Sequence, residues 1–176
     1  MKAPIDIKLH IPRFDELSYR QKLMSDPATM SYNRGYSLDF AGYHRDTGCI
    51  DFPPQAWPGW YESWIGRESE RFYAYIAADG RFAGEVCLHS ADGGRTHELG
   101  ILIEASRRGE GLAKPALRLL IDRAFTVLGS EKLTNCFEPE RKAALRIHTE
   151  LGFEAESSGG LLLLTLTREN YLKNRL

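Results

Sequence analysis

A glycine-rich turn between a strand-like and a helix-like segment constrains this fold more than any other feature of the sequence. Residues 105–125 read ASRRGEGLAKPALRLLIDRAF, and the run just before them, HELGILIE (97–104), has the pattern of a strand. The residues after the turn carry an apolar stripe at helical spacing, made of Leu112, Ala116, Leu119, Leu120, Ala124 and Val127. Because proline is tolerated only near a helix start, Pro115 predicts that the helix begins near Gly111.

Such a turn has the chemistry of an anion-binding site. The first N–H groups of a helix have no partner inside it, and the helix dipole adds partial positive charge at the same end. Gly109 and Gly111 let the backbone approach a ligand closely. Positive charge is supplied by three neighbouring side chains, Arg107, Arg108 and Lys114. The sequence therefore predicts a pyrophosphate site on the amides of residues 109–113.

Two common phosphate-binding motifs are excluded at this turn. A Walker loop requires a serine or threonine after its lysine, whereas Lys114 is followed by Pro115. A Rossmann fingerprint requires a third glycine where Lys114 stands, and here an antiparallel meander precedes the turn.

The segments on either side predict a mixed sheet packed against helices. Strands are predicted at residues 5–11, 71–78, 82–90, 97–104, 132–138 and 161–167. Helices are predicted at residues 14–24, at 55–67, after Gly111 and at 139–153, where Pro139 suits the first turn and Gly152 the end. Hairpin turns are indicated at Asp79-Gly80 and Asp92-Gly93. The strand, helix and strand that follow the meander predict a βαβ crossover within one domain.

The stretch from 31 to 54 has no steady period and is rich in glycine, tyrosine and aspartate. A loop of this length inside a compact domain is often functional, so we interpret it as the lip of a substrate site. Its acidic and aromatic side chains suit a cationic amine; they are Tyr32, Asn33, Arg34, Tyr36, Asp39, Tyr43, His44 and Asp51.

Composition excludes several other classes of protein. A net charge of −1 and a pI near 6.5 give no overall field for a polyanion, so we expect no nucleic-acid partner. The three cysteines are odd in number and widely spaced, which argues against a disulfide framework and favours a reducing compartment. The histidines form no metal-ligand pair, so no metal is expected.

No membrane association is expected either. The longest apolar run, Leu161 to Leu164, is far shorter than the ~20 residues that a membrane-spanning helix needs. The start of the chain, MKAPIDIKLH, has no apolar core of a signal peptide. We therefore expect a cytoplasmic protein.

Two motifs together resemble those of the GNAT superfamily of N-acetyltransferases. Residues 108–113 carry R-x-x-G-x-A, which matches the family's R/Q-x-x-G-x-G/A. The family's later motif, N-x-x-A-x-x-x-Y-x-x-x-G-F, is matched at Ala144, Gly152 and Phe153. Its asparagine is replaced by Arg141 and its tyrosine by His148. The order of elements from about residue 70 to 167 is also similar to that family.

The resemblance implies the fold and the cosubstrate. It implies an α/β (α+β) fold with a seven-stranded, mostly antiparallel mixed sheet, a central βαβ crossover and about four flanking helices. Acetyl-CoA would bind in a V between the fourth and fifth strands. Its pantetheine arm would pair with Ile101, Leu102 and Ile103, and its pyrophosphate would lie on Arg108, Gly109, Glu110, Gly111, Leu112 and Ala113. Residues 1–70 would then supply the substrate lip, and residues 71–176 the acetyl-CoA-binding core.

Transfer of an acetyl group also requires a neutral amine and a proton for the leaving thiolate. A lysine-like amine of pKa ~10.4 costs about 4.6 kcal/mol to hold neutral at pH 7, so a base is useful, and Glu98 is the candidate. Glu85 and Glu104 are alternatives, and Glu98 is equally well explained as an exposed strand residue. His148 is the candidate acid, because it stands where the family has its tyrosine. A merely packed histidine is the competing interpretation.

The function implied is transfer of acetyl from acetyl-CoA to a primary amine of a small molecule or peptide, by direct attack in a ternary complex. The alternative is a non-catalytic acyl-CoA-binding or sensing module, since two motif positions are substituted. An RNA-binding sheet domain is disfavoured, because the chain has no aromatic RNP-type motif. A homodimer is left open.

Overall fold

The computed structural model describes residues 5–39, 41–68, 70–90 and 92–173, and these form one seven-stranded sheet. The strands are β1 (Ile7–His10), β2 (Arg71–Ala78), β3 (Arg81–Ser90), β4 (Thr96–Ile103), β5 (Lys132–Phe137), β6 (Glu154–Ser158) and β7 (Leu161–Thr167). Their order across the sheet is β1-β2-β3-β4-β5-β7-β6. Neighbouring strands are antiparallel except for β4 and β5, which are parallel.

Helices cover both faces of this sheet. They are α1 (Leu17–Ser25), α2 (Pro27–Met30), α3 (Trp57–Trp64), α4 (Ala113–Thr126), α5 (Lys142–Glu150) and α6 (Arg168–Lys173). Parallel neighbours require a crossover connection, and α4 provides it between β4 and β5. The expected mixed sheet with its central βαβ crossover is therefore confirmed, with six α-helices rather than about four.

Each face of the sheet has its own apolar core. On one face Leu99 of β4 packs with the buried stripe of α4, which includes Ala116 and Leu120. On the other face Leu102 of β4 packs with residues of α1 and α2, including Leu17 and Met30. Because successive strand residues point to opposite faces, β4 contributes to both cores and lies at the centre of the molecule.

The predicted strands agree closely with the structure, but β6 was missed. β2 and β7 have the predicted bounds, and the ends of the other predicted strands differ by at most two residues. The sequence of β6, EAESS, has no apolar alternation, because all five of its residues are exposed. Only the resemblance to a seven-stranded family implied this strand; its pairing with β7 keeps it in the sheet.

Two helix predictions need correction. The last predicted helix, 139–153, is shorter: α5 spans Lys142–Glu150, and Pro139 lies outside it. The backbone N–H of Arg141 donates to the carbonyl of Glu138, so Pro139 occupies the second position of a β-turn, where proline is equally favoured. The Asp26-Pro27 pair ends α1 as predicted, but it also starts α2, because the Asp26 carboxylate accepts the N–H groups of Ala28 and Thr29.

The long loop from 31 to 54 folds back on itself, with Phe40 outside the described residues. Tyr43 and Ile50 form a β-bridge, and the Tyr43 hydroxyl donates to the carbonyls of Asn33 and Tyr36. Gly48 approaches α2 so closely that a Cβ there would lie 2.3 Å from the carbonyl oxygen of Met30. The segment is thus an ordered loop, as predicted.

Among the described ranges, no helix has both the length and the apolar character needed to cross a membrane.

Gly84 in β3 offers a test of the close contact between β3 and β4. A Cβ at this position would lie 2.0 Å from the carbonyl oxygen of Leu102, which is backbone and cannot move aside cheaply. We expect Gly84→Ala to lower the free energy of unfolding by about 2 kcal/mol or more, measured by urea denaturation. Gly59→Ala is the control: a Cβ there meets nothing within 4 Å, so its stability should be unchanged or slightly higher. Equal effects at both glycines would contradict this account.

Candidate active site

A cleft opens where β4 and β5 stop pairing. The two strands are paired at Thr96/Lys132, His97/Leu133 and Glu98/Thr134, and no further pair is found between them in the described chain. Beyond this point they diverge toward Ile103 and Phe137. The resulting cavity has a volume of about 570 Å³ and is lined by β3, β4, β5, the start of α4, α5 and the side chain of Tyr32. Its closed end is at Glu98, and its open end faces the turn before α4.

The backbone of β4 is directed into this cleft at alternate residues. The N–H of Glu104 donates to the carbonyl of Ala83. From the next pair, Gly84 and Ile103, the pairing of β3 with β4 continues without a shift in register. Alternation along the strand therefore turns the peptide groups of Leu102 toward β3 and those of Ile101 and Ile103 toward the cleft. The N–H of Ile101, unlike that of Leu102, is therefore placed to donate to an oxyanion in the cleft.

The turn before α4 has the geometry expected of an anion site. Gly109 and Gly111 have φ angles of +83° and +82°, which L-residues adopt only with strain. A Cβ on either glycine would meet nothing within 4 Å, so backbone conformation, and not crowding inside the protein, requires glycine here. Within the described residues no hydrogen bond is found for the N–H groups of Gly109, Gly111, Leu112 and Ala113. These amides are available to a ligand at the positive end of α4.

The three basic side chains near this turn have protein partners. Arg107 donates from Nε to both carboxylate oxygens of Glu110, and Lys114 donates to Glu150 at 2.7 Å. Arg108 lines the cleft, but its guanidinium donates to the carbonyls of Ala28 at 3.1 Å and Thr29 at 2.6 Å. It also donates to Ile103. The predicted phosphate turn is thus joined to α2, and its seat is formed mainly by backbone amides.

Glu98 lies at the closed end of the cleft on the face of the sheet that carries α1 to α3. It lines the cavity, and its side chain is 53% exposed. The Nε2 of His89 lies 3.8 Å from the Glu98 carboxylate. The structure therefore places an accessible carboxylate where the strands meet.

The alternative carboxylates have other environments. Glu104 is not among the cavity residues; it accepts hydrogen bonds from Tyr19, Lys22 and Ser106. Burial raises the pKa of Glu104, but these bonds, first that from Lys22, outweigh burial and hold it below its usual value.

Glu85 lies at the floor of the cleft and is bound by Arg20 at 2.6 Å and by the Tyr73 hydroxyl. The Arg20 guanidinium lies over the ring of Trp60, 4.6 Å from its centroid. A buried pair of this kind forms a fixed floor rather than a free base.

His148 also lines the cleft, but in a protonation state that the sequence alone did not indicate. It is 2% exposed and packs edge-on against the rings of Phe137 and Phe153. Its Nδ1 lies 2.8 Å from the carbonyl of Ala144, which can only accept, so Nδ1 carries the proton. Burial lowers the pKa of His148 more than the Ala144 carbonyl raises it. The neutral ring is therefore favoured, and its Nε2 is an acceptor.

Asn135 of β5 is a cleft residue that the sequence reasoning missed. Its amide nitrogen lies 3.0 Å from the Nε2 of His148, and its amide oxygen accepts the backbone N–H of Cys136. An amide has two N–H donors, so one remains for a ligand. His148 thus orients Asn135, whatever its role in proton transfer. The only sequence signal was that Asn135 stands between Leu133 and Phe137 at the alternate positions of the strand that are otherwise apolar.

Two cysteines and Arg141 also line the cleft. Cys87 lies under Gly100, where burial and the charge of Glu85 raise its pKa to about 12, so this thiol is inert. Cys136 is exposed. Arg141 is not a plain solvated helix residue: it donates to the Tyr32 carbonyl and the Tyr36 hydroxyl. In the described chain no group of three or more potential metal ligands is found.

Comparison with known proteins agrees with this geometry. The sequence model of the acetyltransferase (GNAT) domain matches residues 9–154. The chain belongs to the GNAT acetyltransferase family. Spermidine N(1)-acetyltransferases from Escherichia coli strains K12 and O157:H7 are each 36% identical to it over 97 residues. The match covers 54% of this chain and 52% of each relative, so this chain spans about half the length of those proteins.

Solved structures of GNAT proteins share the fold over nearly the whole chain. The spermidine N-acetyltransferase from Vibrio cholerae in complex with CoA and spermine has a TM-score of 0.74 at 18% identity, over 94% of this chain and 98% of that one. Mycobacterium smegmatis RimJ in complex with CoA-disulfide has a TM-score of 0.73 at 20% identity, over 93% of this chain and 82% of that one.

The state of His148 predicts a pH dependence of stability. Its folded pKa is lower than the unfolded value near 6.5, so the unfolded chain binds the proton more readily. The stability that the neutral ring contributes is present above about pH 6.5 and is lost as the pH falls toward the folded pKa. Urea denaturation from about pH 7 down to pH 5 should show a steeper loss in wild type than in His148→Phe. His44→Gln, at a half-exposed histidine, should keep the wild-type slope; an unchanged slope in His148→Phe would refute the assignment.

Proposed function

We propose that this chain transfers the acetyl group of acetyl-CoA to a primary amine by direct attack within a ternary complex. The observation that carries the proposal is the cleft between β4 and β5, which leads from the unbonded amides of Gly109, Gly111, Leu112 and Ala113 to an accessible carboxylate at Glu98. Residues 71–176 would bind the cosubstrate and residues 1–70 would form the acceptor side. The relatives give no support to the alternative of a non-catalytic acyl-CoA sensor.

The geometry supports one orientation of the cosubstrate. The diphosphate would accept hydrogen bonds from the N–H groups of Gly109, Gly111, Leu112 and Ala113, with Arg108 and Glu110 as part of the same turn. From there the pantetheine arm would follow β4 and pair with the peptide groups of Ile101 and Ile103, beside Leu102. Its thioester would then reach the closed end of the cleft. A single N–H, that of Ile101, would stabilise the oxyanion.

The acceptor amine would approach from the face of α1 to α3. Glu98 would take the proton from the attacking nitrogen, either directly or through a water molecule. His148 remains the candidate acid by position, but a neutral buried ring with an accepting Nε2 holds no proton at that atom. We therefore propose that His148 acts through Asn135, whose remaining N–H would contact the thioester.

The acceptor that we propose is a polyamine or a similar small amine. The related proteins from Escherichia coli are named spermidine N(1)-acetyltransferases, and the similar structure from Vibrio cholerae contains spermine with CoA. A carboxylate at the closed end of the cleft suits the cationic chain of such an acceptor. The cytoplasmic location expected from the sequence is part of this proposal.

The pyrophosphate seat can be tested by a matched pair of glycines. Gly111→Ala would force an L-residue to φ +82° or rotate the amides away from the ligand, so CoA should bind about 10-fold more weakly by calorimetry. Gly129→Ala has the same problem at φ +75°, at the other end of α4. Its stability cost should be similar, but its affinity for CoA should equal that of wild type. Equal affinities in all three proteins would remove the seat from this turn.

The role of Glu98 can be tested by free-thiol release from acetyl-CoA with spermidine and a panel of other amines. Glu98→Gln should lower kcat/KM about 100-fold near pH 7, because the amine must then lose its proton unaided. The loss should shrink as the pH approaches the amine pKa, since more of the amine is already neutral. Glu156→Gln, at an exposed residue of β6, is the control. A loss that is constant over pH would show that Glu98 is not the base.

A further inference from the structure

The cleft is lined by a hydroxyl that the sequence motifs do not predict. The leaving thiolate needs a hydrogen-bond donor, and the family's tyrosine position is occupied by His148, which offers none at Nε2. Among the described residues that line the cavity, Tyr32 is the only one with a hydroxyl group. It comes from the 3-10 turn Ser31–Asn33 that follows α2, far from the motif in sequence.

Tyr32 is held in place from the cofactor side. The Arg141 guanidinium lies 5.7 Å from the centroid of the Tyr32 ring, and it donates to the Tyr32 carbonyl at 3.2 Å and to the Tyr36 hydroxyl at 3.3 Å. Glu138 anchors the same guanidinium at 2.6 Å. Arg141 immediately precedes α5, so it fixes the tyrosine of the acceptor side against the cosubstrate side of the cleft.

Tyr32 lines the cleft, and its hydroxyl is free to donate. It makes no hydrogen bond within the described chain, and the charged groups that act on it include Glu85, Arg20 and Arg141. Tyr32 is 40% exposed, so its burial is partial; this burial and then the charge of Glu85 raise its pKa to about 12. The hydroxyl therefore keeps its proton over the whole range in which an amine is acetylated.

We propose that the Tyr32 hydroxyl donates a hydrogen bond to the sulfur of the departing CoA thiolate, and that Arg141 is the residue that positions it. This inference rests on the proposed function. The amine nitrogen forms a bond to the thioester carbon, the C–S bond breaks, and its electron pair goes to sulfur. The nitrogen gives its proton to Glu98, which then passes it to water. The thiolate takes a proton from water. Tyr32 is unchanged at the end.

A hydrogen bond, and not full proton transfer, follows from the acidities. A thiol has a pKa near 8.5, so a phenol of much higher pKa does not give its proton to the thiolate. It does donate a short, charge-assisted hydrogen bond to the developing anion, and such a donor is more effective in a cleft than in water. The contribution of Tyr32 should therefore not change with pH.

The test is Tyr32→Phe, with kcat measured by thiol release and CoA affinity by calorimetry. We expect kcat to fall about 100-fold while the affinity for CoA is unchanged, and the ratio of wild-type to variant kcat to stay constant from about pH 7 to 9. The matched control is Tyr61→Phe, which removes a hydroxyl that donates to the Pro12 carbonyl outside the cleft. Its kcat should equal that of wild type.

The possible failures are distinguishable. An active wild type with an equally active Tyr32→Phe variant overturns the role of Tyr32 alone. A ratio that changes with pH overturns it as well, because it would mean that Tyr32 itself ionises or transfers a proton. A wild type that binds CoA but releases no thiol with any amine overturns the proposed function, and this inference with it.

Arg141→Met tests the positioning role, since methionine removes the charge and the hydrogen bonds while keeping much of the length. We expect a smaller loss of kcat than in Tyr32→Phe, and the double variant should be no slower than Tyr32→Phe alone. Such non-additivity is what an effect transmitted through Tyr32 requires. Losses that multiply in the double variant, or a weaker affinity for CoA in Arg141→Met, would show that Arg141 acts elsewhere.

Discussion

The separation of β4 from β5 after Glu98 and Thr134 determines most of what this molecule can bind. A parallel pair inside a sheet would normally continue, and its interruption leaves one edge of β4 without a partner in the described chain. Unsatisfied peptide groups at the centre of a protein are costly, so this edge has to be matched by water or by a ligand with its own amides. A pantetheine arm has such amides. In the proposed function, the adjacent turn at the start of α4 would supply the complementary site for a diphosphate.

Local signals allowed this half of the site to be predicted from sequence. Gly109, Gly111 and Pro115 act through backbone conformation, which depends on a few consecutive residues, and the apolar stripe of α4 depends only on helical period. The hairpins at Asp79-Gly80 and Asp92-Gly93 were readable for the same reason. β6 was not, because a strand whose residues are all exposed leaves no hydrophobic pattern.

The other half of the site depends on contacts between distant residues. Arg20 meets Glu85 across 65 positions, and Arg141 reaches Tyr32 across 109. Neither contact is indicated by the hydrophobic periodicity of the sequence or by the spacing of its motif residues. Pro139 shows a related limit, since the same residue suits a helix start and a β-turn, and only the bond from Arg141 to Glu138 decides between them. His148 was singled out by a motif position and lines the cleft, but its protonation state depends on Asn135 and the rings that bury it.

The cofactor side and the acceptor side are mechanically joined through one short segment. Arg108 binds the carbonyls of Ala28 and Thr29, and the Thr29 hydroxyl accepts the backbone N–H of Ala105. Tyr32 and Tyr36, a few residues after Thr29, are bound by Arg141. Residues 28–36 are thus held at one end by the phosphate turn and at the other by the start of α5. Hydrogen bonds from a charged guanidinium to a carbonyl are strong. The position of residues 28–36 is therefore set by the turn before α4 and by the turn before α5, which both border the cleft. His148 stands where the family motif has its tyrosine, and Arg141 stands where the motif has its asparagine. In the proposed mechanism the thiolate still has a hydrogen-bond donor, because Arg141 holds Tyr32 at the cleft.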